Sequence, residues 1–385
     1  MKRILILLIY YSLIIQPSFK GHALEHPPAS KTTGAHSPHI LKSESYSLNA
    51  RNIKVLKNQN RFLWMGTTMG VIRFDTSTHD KYEIFDNKNG LLSNGIFAIA
   101  MDEHQRPWVG TYGGGLSFHD GTQWVNINTP QGLCDSFVYD IKFSGNSTWI
   151  ATWSGANLVR GDPFNRKSWK SFTLENTGGG LIDNWVYAIE IGKDGRVWFG
   201  TESGVSVFDG AGWKNWNHSH GMGASFEAVK QDNRHIVSSL QGTHHTDHNP
   251  GLPNIDRQGY RPNYVVSMFL DKSERLWIGT WGAGLSLLDT QRQQFRNFTM
   301  NDGLPGNYIF AIEEGPYGNL WIGSNGGMSR FDGNRFTNYS KINGLVSDFI
   351  FSLEFSRENF LWAGGHHGMN QFKLNAIDGH LEKIQ

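Results

Sequence analysis

A Trp-x-Gly-Thr motif recurs along the chain and constrains the fold more than any other feature. It is clearest at Leu276-Trp277-Ile278-Gly279-Thr280. Further copies stand at Trp64-Met65-Gly66-Thr67, Trp108-Val109-Gly110-Thr111, Trp198-Phe199-Gly200-Thr201 and Trp321-Ile322-Gly323-Ser324, with looser forms at Trp149-Ile150-Ala151-Thr152 and Trp362-Ala363-Gly364-Gly365. Successive tryptophans lie roughly 40–50 residues apart, except that the step from Trp198 to Trp277 is about twice as long. A fixed period of this length is the signature of a β-propeller or a similar array.

Each period reads as four short strands. Around Trp321 they are Asn307 to Ile312, Leu320 to Gly323, Met328 to Phe331 and Arg335 to Tyr339, separated by Gly- and Asn-containing turns. Apolar and polar residues alternate with period two, and the turn residues tolerate positive φ. Four antiparallel strands make one blade. The long step hides a degraded unit, with Ser225 to Val229 fitting a first strand and His235 to Leu240 a second. The expected fold is therefore all-β, a single β-propeller of four-stranded antiparallel blades, eight in number, or seven if the degraded unit is an insertion. The last blade is completed either by residues Leu381 to Ile384 or by Tyr46 to Leu48.

One first-strand column holds Ala98, Asp140, Ala188, Ala228, Ser267, Ala311 and Ser352, which reads as small residues crowded toward the axis. Asp140 departs from it and needs the channel or a hydrogen-bond partner, because an unpaired buried carboxylate is costly.

Residues 1–23 read as a secretory signal peptide: Lys2 and Arg3, then the apolar run Ile4 to Ile15, then Gly21-His22-Ala23 at the cleavage point. An uncleaved anchor is the competing reading, although the run is short for a span. Residues 24–45, with Pro27, Pro28 and Pro38, read as a flexible linker, and 46–385 as the propeller. No other apolar run is long enough to cross a membrane, so the expected mature protein is soluble and periplasmic or secreted. A net charge of +1 gives no footing for nucleic acid. The one cysteine, Cys134, forbids an intrachain disulfide.

The repeats resemble the two-component regulator propeller repeat. The pattern (D/N)-G-L-(P), strand, L-W-(I/V)-G-T is matched best by Asp302-Gly303-Leu304-Pro305 with Leu320 to Ser324, and by Leu276 to Thr280. The resemblance runs from about Asn52 to Leu374. It implies the ligand-sensing propeller of a sensor kinase system, acting through an envelope partner protein such as a sensor kinase.

Two groups of residues are candidate sites. The loop after each second strand and the crossover to the next unit open on the same face of a propeller. There stand Tyr112, Trp153 and Trp281, then Trp185, Tyr264, Tyr308 and Phe349, with Asn184, Asn263 and Asn307 preceding three of the latter. Rings supply stacking area and amides supply hydrogen bonds, which suits a small molecule, a glycan or a partner protein. The alternative is that the asparagines cap turns and the rings pack blade to blade. The second group is His244, His245 and His248, which would suit a transition metal. His218, His220, His366 and His367 lie in other loops. No HExxH, G-x-S-x-G or P-loop is present. The leading expectation is a non-catalytic, exported sensor without a cofactor. The others are a metal-dependent propeller lyase or hydrolase, and a structural protein-interaction scaffold.

Overall fold

The computed structural model describes residues 41–46, 48, 52–78, 81–230, 260–356, 358–375 and 379–382. Seven four-stranded antiparallel sheets are arranged in a ring. Blade 1 runs from Val55–Gln59 to Tyr82–Phe85, blade 2 from Ile96–Met101 to Trp124–Ile127 and blade 3 from Val138–Ser144 to Trp169–Phe172. Blade 4 runs from Val186–Ile191 to Trp213–Trp216, blade 5 from Arg261–Leu270 to Gln294–Phe298, and blade 6 from Ile309–Glu314 to Phe336–Tyr339. Blade 7 takes three strands from the C-terminal end, Ile350–Phe355, Phe360–Gly365 and Gly368–Lys373, and its fourth from Ser43–Tyr46.

The blade count is seven, not eight. Phe226–Val229, expected as a first strand, is a single helical turn. Gly200 of blade 4 lies directly against Val265 of blade 5, leaving no space for a blade between them. The expected second strand at 235–240 lies outside the described residues. Ring closure uses the N-terminal segment: Ser43 pairs with Phe372 and Tyr46 with Met369. Leu381 makes only an isolated bridge to Leu374. The expected linker boundary at residue 45 therefore falls inside a strand. Leu41 is buried in the core beside Trp321 and Leu345.

The structure explains the motif residue by residue. The second-strand Trp is buried in every blade and packs toward the next blade, as Trp277 does against Phe331 and Trp362 against Phe74. Burial on this scale contributes roughly 25 cal/mol per Å² of apolar surface. The Gly two residues later is where the next blade's first strand arrives. A Cβ at Gly66 would lie 2.7 Å from Ile96, one at Gly110 2.6 Å from Val138, and one at Gly364 2.7 Å from Ile53. The following hydroxyl closes the turn to the third strand: Thr67 donates to the Gly70 carbonyl, Thr201 to Gly204 and Thr280 to Gly284, at 2.7–2.8 Å.

The small first-strand column sits elsewhere than expected. Ala98 pairs with Gly110, Ala311 with Gly323 and Ser352 with Gly364, so these residues are small because they lie under the motif glycine at the blade junction. Ala228 is outside the column, being part of the helical turn. Asp140 uses the junction differently: its carboxylate accepts the Ile141 amide and, across the junction, the Ile189 amide of blade 4, each at 2.8 Å.

A buried carboxylate paired with a partly exposed arginine pins the tryptophan in each of two blades. Asp102 accepts from the Arg106 guanidinium at 2.7 Å and the Trp108 indole at 3.0 Å, and Asp271 repeats this with Arg275 and Trp277. Burial pushes the Asp102 carboxyl up, but the donors from Arg106 and Trp108 outweigh it and hold the group below its usual range. A depressed carboxyl contributes stability that is present above its unfolded value and lost as pH falls through the folded one. Asp102→Ala is expected to cost about 2–3 kcal/mol at pH 7 by stranding charged and indole donors. The difference from wild type should shrink toward the acid limb, which urea unfolding at pH 7 and near pH 3 would measure.

Candidate ligand-binding site

A recurrent irregularity builds the site. In six blades the first strand shifts register against the second, at one residue in five of them and at two places in blade 5. In five of these the residue at the shift is Phe97, Tyr139, Tyr187, Phe310 or Phe351. A β-bulge leaves its extra residue out of the ladder and re-aims the side chain. First strands are the inner edge of each sheet and contact one another around the axis. The re-aimed rings accordingly meet at the mouth of the channel.

Their contacts run almost around the circle. Phe97 meets Tyr139 at 5.0 Å between centroids, Tyr139 meets Tyr187 at 4.9 Å, and Tyr187 meets Tyr264 at 4.8 Å. Tyr264 stacks on Trp281 at 5.7 Å, Trp281 meets Phe310 at 6.1 Å, and Phe310 meets Phe351 at 5.2 Å. Lys54, the equivalent residue of blade 1, closes the arc with its ammonium 3.8 Å from the Phe351 ring centre. These are mostly edge-to-face or tilted pairs, the geometry that the ring quadrupole favours.

Charges crown and underlie this mouth. Burial pulls Lys54 down to about 7, while the Phe351 face favours its charged form. His366 touches Phe351 and hydrogen-bonds Asn52, and it is held down to about 4 by burial and then by Lys54, so its imidazole is neutral near pH 7. On the rim, Arg261 pairs with Glu202 at 3.4 Å. One turn of strand deeper, Lys57 pairs with Glu354 at 3.2 Å and Lys142 with Glu190 at 2.7 Å. Glu313 belongs to the same level and is pushed up to about 7, by burial first and with Glu354 beside it adding to the effect.

The sequence-derived rim residues divide. Tyr264, Trp281 and Tyr308 form one patch, with Trp281 5.2 Å from Tyr308. Tyr112, Trp153 and Trp185 form another through Phe137. Tyr112 also meets Phe97 at 5.8 Å, and burial pushes its phenol up to about 12. Tyr264 and Tyr308 are buried at 5% and 2% exposure, so they support the mouth more than they present surface. The asparagines serve turns: Asn184 accepts the Leu174 amide, Asn263 the His218 amide and Asn307 the Met300 amide. Phe349 stands at the rim, 40% exposed, against His366. His244, His245 and His248 lie outside the described residues. Among those described, no group of three or more His, Cys, Asp or Glu side chains is placed to hold a metal ion.

Sequence reasoning missed Phe97, Tyr139, Tyr187, Phe310, Phe351 and Lys54. The signal was present: each stands immediately before a residue of the small column or at its blade 1 equivalent. Strict period-two alternation assigns that position to the wrong face, and only the bulge turns it to the axis.

Comparison with known proteins agrees with this architecture. The family model described as two component regulator propeller matches residues 180–203, 259–282 and 303–326. The chain is similar to histidine kinase P4 of Formosa agariphila, 21% identical over 297 residues that cover 63% of this chain and 19% of the kinase. Among solved structures, the extracellular domain of the hybrid two-component system BT3049 from B. thetaiotaomicron superposes with a TM-score of 0.67 at 20% identity, over 88% of this chain and 41% of that one. A streptogramin B lyase superposes with a TM-score of 0.58 at 13% identity, over 86% and 96% of the two chains. At these identities the likeness shows the fold alone. The chain spans less than half of both two-component relatives.

Proposed function

We propose, from the two-component regulator propeller repeats matched at residues 180–203, 259–282 and 303–326, that the chain is an exported, non-catalytic sensor propeller. It binds a small molecule or glycan over the aromatic mouth and passes the signal on by contact with an envelope partner such as a sensor kinase. The observation that carries this reading is the bulge in six of seven first strands. A propeller closes without it, and in five blades it spends a ladder position to aim a ring at the axis.

The chemistry of the mouth narrows the ligand. Ring faces and edges arranged in an arc suit the C–H faces of a pyranose or a planar ring. Lys54 offers one cation on the arc, and the Glu202–Arg261 pair offers both signs on the rim. A ligand carrying hydroxyls and one anionic group matches this set. The kinship with a histidine kinase and with the extracellular domain of a two-component system supports the signalling half of the proposal.

The test is a thermal-shift screen of the purified chain against neutral and anionic oligosaccharides and ring-bearing metabolites, with affinity capture of envelope proteins alongside. We expect a saturable upward shift with at least one anionic or hydroxyl-rich ring compound. A flat response across the panel, with no partner captured, would sink the proposal.

A further inference from the structure

On the face opposite the mouth, a cavity of about 410 Å³ opens between blades 2 and 3. Its lining includes the turns at Asp102–Arg106 and Gly145–Asn146, which join first to second strands and so lie at the end away from the second-to-third-strand loops. Its walls include the rings of Trp108, Phe143 and Trp169 and the β-branched side chains of Thr148, Ile150 and Val159.

The repeat shows why the cavity is here. In six blades the motif Trp lies against an aromatic residue of its own fourth strand: Trp64 on Phe85, Trp149 on Phe172, Trp198 on Trp216, Trp277 on Phe298, Trp321 on Tyr339 and Trp362 on Tyr46, at 5.4–5.9 Å. In blade 2 that register holds Ile127, and Trp108 stacks instead on Phe118 at 4.6 Å. The facing wall of blade 3 is also reduced. The cross-strand pair Leu63–Phe74 of blade 1 recurs as Leu320–Phe331 and Leu361–Phe372, but in blade 3 it is Thr148–Val159. Ring and aliphatic volume are thus missing from both sides of one junction, beside the edges of Trp108, Phe143 and Trp169.

We propose that this cavity is a binding site for an aromatic small molecule of one or two fused rings, which supplies the ring that the other junctions carry covalently. The volume of about 410 Å³ has room for one or two fused rings, with the aromatic walls on one side and the polar turns at the opening. Trp108 and Phe143 already meet at 5.7 Å edge to face, and a ligand ring extends that array toward Trp169. Asn146 and the Asp102–Arg106 pair at the opening receive a polar substituent. The site is independent of the axial mouth, so either can fail without the other.

Ligand-observed NMR with indole and with phenol as probes tests the proposal on the full chain. Wild type is expected to give saturable binding. Val159→Phe and Thr148→Leu, which restore the bulk found in other blades, should each weaken it tenfold or more while thermal unfolding shows a folded protein. If Val159→Phe does not fold, the smaller Thr148→Leu decides alone. Ile342→Ala, on the exposed crossover after blade 6, should leave binding unchanged. Absence of saturable binding in wild type, binding retained in the folded Thr148→Leu protein, or binding lost in Ile342→Ala would each overturn the site.

Discussion

Removing residues 1–46 opens the ring, and the truncated chain is expected to unfold at or below room temperature, whereas removal of residues 1–40 leaves the melting temperature within a few degrees of the parent. Ser43–Tyr46 is the whole fourth strand of blade 7. Without it the blade presents an open edge along Gly368–Lys373. Tyr46 also packs on Phe74 of blade 1 at 5.2 Å and on Trp362 at 5.9 Å, so its loss uncovers the junction where the two ends of the chain meet. Losing an aromatic contact of this kind costs about 3–5 kcal/mol, a large share of the 5–15 kcal/mol that holds a typical domain together. Circular dichroism melts of the two truncations decide the matter. Equal melting temperatures would show that blade 7 closes some other way.

The second large effect is expected from Gly323→Val. A Cβ there would lie 2.7 Å from the Ile350 carbonyl oxygen and 3.0 Å from the Ile350 side chain. The obstacle is backbone of the next blade, which cannot swing aside like a flexible side chain. We expect a loss of about 3 kcal/mol or more. Ile322→Val in the same strand removes one methylene from a buried site and should cost only about 0.5–1.5 kcal/mol. The contrast between the two in urea unfolding separates a packing role from a role in turn formation. The turn itself is held by the Ser324 hydroxyl donating to Gly327 at 3.1 Å, and that bond survives both substitutions.

How far the sequence could be read depends on the scale of the physics involved. The repeat, the four-strand unit and the position of each motif Trp follow from period-two alternation and turn chemistry, which are local. The blade count turned on 218–259, where local signals conflict. Ser225 to Val229 alternates too weakly to specify a strand, and Ser225 instead precedes the helical turn Phe226–Val229. Closure by Ser43–Tyr46 depends on pairing across more than 300 residues, so the sequence left N-terminal closure as one of two alternatives and placed it a few residues late, at Tyr46 to Leu48.

Part of the rim clustering was legible. Tyr264, Trp281 and Tyr308 do gather at one edge of the axis because they stand at strand ends on one face. The innermost ring was hidden by the bulge, since one inserted residue inverts every inside–outside assignment beyond it. The amides were read as ligand contacts on residue type. In the structure, Asn184, Asn263 and Asn307 are each taken up by a backbone N–H of the preceding crossover. Asparagine competes for nearby backbone so readily that turn capping is its default use.

The charged level beneath the mouth makes stability depend on pH. Lys57 and Lys142 are each matched by a glutamate, and Glu313 sits beside them with its carboxyl raised toward neutrality. A raised carboxyl stabilises the fold while protonated in the folded state, and that contribution falls away as pH rises from its unfolded value near 4.5 through about 7. Glu313→Gln is therefore expected to flatten the decline in stability over that window, which melts at pH 5 and pH 8 would show.

The central claim is that the bulge-set rings form the ligand site. Its most direct test is the affinity of a ligand found by screening, measured by calorimetry for wild type, Tyr187→Ala, Trp281→Ala and the distant surface control Phe164→Ala. The account predicts at least about a tenfold loss, equivalent to 1.4 kcal/mol, for each mouth variant and none for the control. Equal affinity across all four proteins would contradict it.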